Sequence, residues 1–336
     1  MRSNRALVTA ALFSAVALCA QSGAQTPAGN PNAIALLRWY PANLATQFST
    51  GLKQPTGIAF DGQNMWVVGT GNDSISKIRA CDGALLGTFL VGAAPFGVAF
   101  DGANIWVTNQ NDKTVSKLRA SDGKVLGTFT VGTTPTGIVF DGSSIWVGIY
   151  GQRELVKIRI SDGTTLLTTK LSGSPLGMAF DGANVWVTLG TNEVSKVQVS
   201  SGTVMGTFAV GTNPQSAVFD GSSIWVSNVT SGNVTKLRAS DGTVLGTFTA
   251  GTGPDGLVFD GTTIWVANFN SANVTKLRAS DGKNLGTFNL PGQPGLAAST
   301  GPMFGSRSTA ARPSRRCRRA RGLSSANSLL CTPPVR

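Results

Sequence analysis

The stretch PFGVAFDGANIWVTNQNDKTVSKLRASDGKVLGTFTV, residues 95–131, decides the fold, because the chain repeats it with variations from about residue 36 to residue 290. An Asp-Gly pair stands ahead of six of the seven tryptophans and recurs every 39 or 40 residues, with its aspartate at Asp61, Asp101, Asp141, Asp181, Asp220 and Asp260. Within each copy the apolar residues alternate or form short blocks between turn residues. The pattern predicts four strands per copy, at residues 97–100, 104–108, 114–119 and 125–131 of the quoted stretch.

Four short strands cannot bury both faces of their own sheet, so each copy must pack between two others. Radial repetition achieves this, and the predicted fold is therefore an all-β β-propeller with one four-stranded blade per copy. Six tryptophans are expected to fill the space between blades: Trp66, Trp106, Trp146, Trp186, Trp225 and Trp265. The recurring Lys and Arg of the K-L-R segments, such as Lys77 and Arg79, are expected to keep their charged ends in solvent.

The repeated motif P-x-G-[IVLM]-[AV]-F-D-G-x-x-[IV]-W-V, followed by V-[ST]-K-L-R-A-S-D-G-x-x-L-G-T-F, resembles the YVTN family of extracytoplasmic β-propeller repeats. Trp106-Val107-Thr108-Asn109 is the copy nearest to that family's signature, with Trp where Tyr is usual. The motif is more distantly similar to streptogramin lyases and NHL-type propellers. The resemblance covers about 250 residues. It implies a propeller outside the cytoplasm and no particular activity, because such repeats serve many functions.

The N-terminus has the pattern of a secretory signal peptide over residues 1–24. Two arginines precede an apolar run, and Ser22-Gly23-Ala24 provides small residues for cleavage near Ala24. A polar linker, residues 25–35, precedes the propeller, predicted as residues 36–296, and a basic tail follows at 297–336. The sequence thus predicts a secreted or periplasmic protein without a membrane anchor.

The chain enters the repeat halfway through a copy, because residues 36–48 align with the segment KLRASDGKVLGTF. Six complete copies follow, and the first two strands of a seventh would have to come from the C-terminal end. We therefore expect six complete blades and a seventh, incomplete blade that closes the ring from both ends of the chain.

The tail interrupts the repeat where the seventh tryptophan hairpin is expected. Residues 299–307, STGPMFGSR, can be encoded by codons that spell FDGANVWVT in another frame, which is the sequence of residues 180–188. We interpret the tail as a disordered, frameshifted remnant of the seventh blade. A genuine basic arm for nucleic acid or an anionic surface is the alternative.

Charge does not indicate a nucleic-acid partner. The formal charge is +12, but 8 of the 28 basic residues lie in the tail and 2 in the signal region, which leaves 18 against 16 acidic residues. The propeller itself is therefore close to neutral. It carries no recognised nucleic-acid motif.

The sequence lacks the residues that most enzymes of this type would need. It contains no histidine, which excludes His-based metal sites and His-activated nucleophiles. No phosphate loop, cysteine pair or calcium-loop pattern occurs, so we expect no catalytic residues, no metal and no cofactor. Cys81 is a single thiol in a turn, whose role the sequence leaves open.

Two sets of positions differ between copies: the residue after the first proline of each copy, and the loop after W-V-x. If they share a rim, they form an Asn-rich surface with aromatic groups, suited to a glycan or to a protein or peptide ligand. The candidate ligand-binding residues are Phe96, Asn109, Asn111, Tyr150, Gln215, Asn228, Asp255, Asn268 and Phe269. Asparagine also simply favours turns, which is the competing interpretation.

The expected function is therefore an exported, non-catalytic scaffold that binds through its rim loops. One alternative is a propeller enzyme of the lyase or lactonase type that uses a rim carboxylate such as Asp255. Another is a truncated, non-functional gene product, if the frameshift lies in the gene.

Overall fold

The computed structural model describes residues 50–80 and 82–295, and these residues form an all-β structure of six consecutive copies. Copy one contains β1 (Pro55–Phe60), β2 (Asn64–Gly69), β3 (Ser74–Arg79) and β4 (Leu85–Leu90); copy two contains β5 (Pro95–Phe100), β6 (Asn104–Asn109), β7 (Thr114–Arg119) and β8 (Val125–Thr130). Copy three contains β9 (Pro135–Phe140), β10 (Ser144–Ile149), β11 (Glu154–Arg159) and β12 (Thr165–Lys170); copy four contains β13 (Pro175–Phe180), β14 (Asn184–Leu189), β15 (Glu193–Gln198) and β16 (Val204–Ala209). Copy five contains β17 (Pro214–Phe219), β18 (Ser223–Asn228), β19 (Asn233–Arg238) and β20 (Val244–Thr249); copy six contains β21 (Pro254–Phe259), β22 (Thr263–Asn268), β23 (Asn273–Arg278) and β24 (Asn284–Asn289).

Each copy folds into one antiparallel sheet whose strands lie in chain order, as the sequence predicts. The first strands of successive copies lie side by side, from β1 against β5 through to β17 against β21. The six sheets are thus the blades of a β-propeller, and the predicted fold class is confirmed. Single three-residue 3-10 turns follow β2 and β10, at Thr70–Asn72 and Tyr150–Gln152.

The first strands approach one another so closely that four of the five contacts between successive described copies contain a glycine, at Gly57, Gly97, Gly137 and Gly177; copy five has Ser216 at this position. A Cβ added to Gly137 would stand 2.1 Å from the carbonyl oxygen of Leu176 in the next copy. At Gly57 the corresponding distance to the carbonyl oxygen of Phe96 is 2.4 Å. The glycine of the P-x-G motif therefore permits the close spacing of copies one to five at their inner strands.

The tryptophans fill the space between blades, as expected. Trp66, Trp106, Trp146, Trp186 and Trp225 are fully buried. The Trp66 indole Nε1 donates to Asp61 Oδ2 at 2.8 Å, within its own copy, so the Asp-Gly turn also holds the ring in place. The same hydrogen bond forms in every described copy, at 2.7 or 2.8 Å.

The lysines of copies one to five do not keep their charged ends in solvent, and for these lysines that expectation was wrong, because each donates to a backbone carbonyl oxygen of the next copy. Lys77 Nζ lies 5.3 Å from the centre of the Trp66 ring and donates to the carbonyl oxygen of Ala120 in the next copy, at 2.7 Å. The lysine thereby links two blades, while the cation–π contact stabilises its buried charge. The arginines of these segments are more exposed, and Arg79 pairs with Asp82 at 2.8 Å in solvent.

The sixth copy presents a more open face than the others. Phe288 is 49% exposed, and Trp265 keeps 9% exposure where the other repeat tryptophans have none. Pro294 is buried like the prolines that begin β5 to β21. The predicted seventh blade falls on residues 36–48 and on those after 295, which lie outside the described residues.

The predicted signal peptide, the linker and the basic tail also lie outside the described residues, as does Cys81. Within the part of the chain that the structure describes, no helix is long and apolar enough to cross a membrane.

Candidate functional site

Strand pairing brings the two variable sets of positions to one end of each sheet. The proline that begins each first strand pairs with the last residue of the second strand, as Pro254 does with Asn268. Backbone hydrogen bonds then fix the following loop, because the Phe269 amide donates to the carbonyl oxygen of Gly253 at 2.8 Å. Each copy therefore carries its inner-strand residue and its loop on the same rim.

At the junction of copies five and six this rim forms a cleft of about 180 Å³. Three of the candidate residues, Gln215, Asp255 and Phe269, line it together. Three residues outside the candidate set complete the lining: Val229 and Asn270, which belong to the variable loops after W-V-x, and Gly253. Gly253 was detectable in principle, because it precedes Pro254 where the other copies have Gln, Ala, Thr, Ser or Asn.

Asp255 is the one ionisable residue among those that line the cleft. Burial raises the pKa of its carboxyl group, and no hydrogen bond or ion pair within the described residues offsets that effect. The equivalent positions in the other copies hold Thr56, Phe96, Thr136, Leu176 and Gln215, so the carboxylate is particular to copy six. A half-buried carboxylate without a partner is costly to keep, which is typical of a functional group.

The other polar groups of the cleft leave acceptors available. Gln215 Nε2 donates to Asn213 Oδ1 at 3.0 Å, and no donor among residues 50–80 and 82–295 reaches its carbonyl oxygen Oε1. Phe269 is 42% exposed and contributes an aromatic surface beside the carboxylate. The cleft therefore combines a negative charge, an amide oxygen and an aromatic ring.

Three candidate asparagines lie inside the blades rather than on the rim surface. Asn109, Asn228 and Asn268 have no exposed surface. Asn228 Nδ2 donates to Asn233 Oδ1 and Thr235 Oγ1, at 2.8 and 2.9 Å, and the other two make equivalent bonds. These side chains hold the loop to the third strand, which is the structural role that a turn-forming asparagine predicts.

The remaining candidates are on the rim but apart from the cleft. Asn111 and Tyr150 are exposed in copies two and three. Phe96 is half-buried on the inner strand of copy two, and its carbonyl oxygen accepts from Thr56 Oγ1 at 3.2 Å. None of the three lines the cleft.

The Asp-Gly carboxylates are structural groups. Burial by itself would raise the pKa of Asp61, but hydrogen bonds from Trp66, Asn64 and nearby backbone amides outweigh it and hold the pKa below its ordinary value. The pKa values of Asp141 and Asp260 are lowered for the same reason. Each carboxylate is saturated with donors, so it is not available for proton transfer.

A larger groove of about 510 Å³ lies between copies five and six, at a different place. Its lining includes Asp220, Lys236, Ala279 and Ser280. Lys236 Nζ already donates to the carbonyl oxygens of Ala279 and Ser280, at 2.6 and 3.3 Å. Because these contacts recur between other copies, we assign the groove to blade packing.

The described residues bring together no group of three or more His, Cys, Asp or Glu side chains that could hold a metal ion. The lyase or lactonase alternative requires several convergent carboxylates around Asp255. Of the six residues that line the cleft, Asp255 alone is acidic.

Comparisons with known proteins support the fold and give no information on activity. No family model and no curated protein matches the chain. Among solved structures it is similar to a chain of hydrazine synthase from Kuenenia stuttgartiensis, with a TM-score of 0.64 and 18% identity over 74% of this chain and 90% of that one. At that identity the likeness shows the β-propeller fold alone, and 1648 solved chains match the fold in all. The chain is thus a β-propeller repeat protein in which only the site indicates function.

Proposed function

We propose that this protein is an exported, non-catalytic β-propeller of the YVTN type that binds a ligand in the rim cleft of Gln215, Asp255 and Phe269. The ligand is a glycan or a segment of peptide. The observation that carries the proposal is the unpartnered carboxylate of Asp255, which stands where the other copies have Thr, Phe, Leu or Gln.

The contrast between repeated and unrepeated groups supports this assignment. Carboxylates that recur in every copy are saturated by hydrogen bonds and contribute to folding. Asp255 occurs once, has no described partner and faces open space beside an exposed aromatic ring. Binding residues on a propeller are expected on loops that a rigid framework presents, and this cleft meets that condition.

Export rests on the signal-peptide pattern of residues 1–24. Expression with the native N-terminus, followed by sequencing of the mature chain, should give a start near Gln25. A chain that keeps residues 1–24 and stays in the cytoplasm would contradict this part of the proposal.

Binding is tested with glycan and peptide arrays probed by the purified protein. Phe269→Ala should abolish the signals that the unmodified protein gives, since it removes the aromatic surface of the cleft. Tyr150→Ala is the matched control, because Tyr150 is the equivalent exposed aromatic residue in copy three. Equal signals from both variants and the unmodified protein would place binding elsewhere.

A further inference from the structure

The charge of the cleft restricts its ligand further than its shape does. Its lining residues include one carboxylate and no Lys, Arg or His to balance it. A charge that is partly removed from water is stabilised when an opposite charge with hydrogen-bond donors binds it. An anionic ligand would instead add repulsion at Asp255.

The uncharged groups of the cleft also suit a donor with a positive charge. No described residue donates to Gln215 Oε1, while its Nε2 donates to Asn213 Oδ1. The ring of Phe269 can contact a cation through its face. A Ca²⁺ ion takes about six to eight oxygen ligands, and the side chains of the cleft offer only one carboxylate and two amide oxygens. An ammonium or guanidinium group needs only acceptors and an apolar surface.

The size of the cleft indicates a single side chain. Its volume of about 180 Å³ is below the range of roughly 300–1,000 Å³ that is typical for drug-sized ligands. Val229 and Phe269 offer apolar contact for an alkyl stem next to the carboxylate. An extended oligosaccharide would leave most of its rings outside.

We propose that the cleft binds an organic cation, the side chain of an arginine or lysine on a partner peptide, with the Asp255 carboxylate as its counter-ion and Phe269 as its aromatic contact. The inference rests on the proposed function and names the ligand class of the same site.

The test is a calorimetric titration of the full-length protein with Nα-acetyl-arginine amide and with Nα-acetyl-citrulline amide, its neutral isostere. The arginine compound should bind at least about tenfold more tightly, because the hydrogen bonds to a charged partner are lost with citrulline. Asp255→Asn should reduce arginine affinity by about tenfold and leave citrulline unaffected. Tyr150→Ala should change neither affinity.

The possible results separate the two proposals. Equal affinity for arginine and citrulline would overturn the cationic ligand. If instead chito-oligosaccharides bound in a manner that Phe269→Ala abolishes, the ligand class would be wrong while the site would stand. If none of these probes bound to a protein that melts normally, and the arrays were also silent, the site itself would be refuted.

Discussion

The ring of Phe248 in copy five lies directly against Gly282 of copy six. A Cβ added to Gly282 would stand 2.0 Å from Cε1 of that ring. The same relationship joins Phe89 to Gly123, Phe129 to Gly163 and Phe208 to Gly242. The outer strand of one blade therefore inserts its phenylalanine under the β-turn of the next, which couples neighbouring blades at their outer edge.

This contact predicts a strong effect of Gly282→Ala. The new methyl group would displace Phe248, and the residue would also keep an unfavourable positive φ of 73°. Gly232→Ala is the matched control, since Gly232 has a similar φ of 64° and an added Cβ there would meet only the carbonyl oxygen of Gly251, at 3.7 Å. We expect Gly282→Ala to cost about 1–3 kcal/mol more than Gly232→Ala. Equal losses in denaturant titrations would show that backbone strain alone matters there.

The open face of copy six predicts unequal effects of two equivalent phenylalanines. Phe248 contacts Trp225 with ring centres 5.3 Å apart and also contacts Gly282, whereas Phe288 contacts Trp265 at 6.0 Å and is 49% exposed. Phe248→Ala should cost about 2–3 kcal/mol, less than a fully buried phenylalanine. Phe288→Ala should cost less than half of that. Equal costs in thermal melts would mean that a segment outside the described residues covers Phe288.

The Asp-Gly carboxylates predict a loss of stability in acid. The pKa of Asp61, Asp141 and Asp260 is held below the ordinary value of 3.8 in the folded protein. A lowered folded pKa stabilises the fold above pH 3.8, and this contribution disappears as the pH falls through the folded values. Denaturation midpoints measured from pH 6 to pH 2 should decrease accordingly. Asp260→Asn should lower the midpoint at pH 6 and flatten the decrease; an unchanged slope would contradict the assignment.

Asp255 predicts the opposite dependence of stability on pH. Burial raises its pKa, so the folded protein holds this proton more tightly than the unfolded chain and loses stability as the pH rises above 3.8. Asp255→Asn should therefore raise the melting temperature at pH 7 by roughly 1–4 °C. The gain should vanish well below pH 3.8, where the carboxyl group is protonated in both states. A variant that is less stable than the unmodified protein at pH 7 would show that Asp255 has a structural partner.

The repeat made most of the fold predictable from sequence. Turn residues at a constant period marked the ends of the strands. The predicted strand at 114–119 has the same bounds as β7, and the strand predicted at 97–100 begins two residues later than β5 does. The position of the lysine ammonium groups was predicted wrongly because the sequence of a single copy does not show which acceptors the next copy places beside them. In copies one to five their partners include backbone carbonyl oxygens 42 or 43 residues away, as Ala120 is from Lys77.

Copy three shows how the packing tolerates a change of sequence. There Leu167 and Thr169 replace the Gly and Phe found at Gly127 and Phe129. Leu167 packs with the cluster that contains Trp146, while Thr169 Oγ1 donates to the carbonyl oxygen of Gly202 at 2.7 Å. The large residue stands at 167 in copy three and at 129 in copy two, so the space between blades is filled in both cases. The pattern of one copy alone does not reveal this exchange.

The site was predictable only in part. Gln215, Asp255 and Phe269 departed from the repeat and do meet in one cleft. Asn109, Asn228 and Asn268 could not be separated from them by sequence, because an asparagine at a loop can serve either the ligand or the turn. Burial decides between the two, and it depends on the third strand against which these side chains pack.

The central claim is that the copies share their structural groups and differ where the protein binds. The most direct test is to measure affinity for one bound ligand after single substitutions at six equivalent positions. Thr56, Phe96, Thr136, Leu176, Gln215 and Asp255 would each be changed to Ala. Affinity should fall only for the Gln215 and Asp255 variants, which line the cleft. A similar loss at all six positions, or a loss confined to the copies that do not line the cleft, would contradict the account.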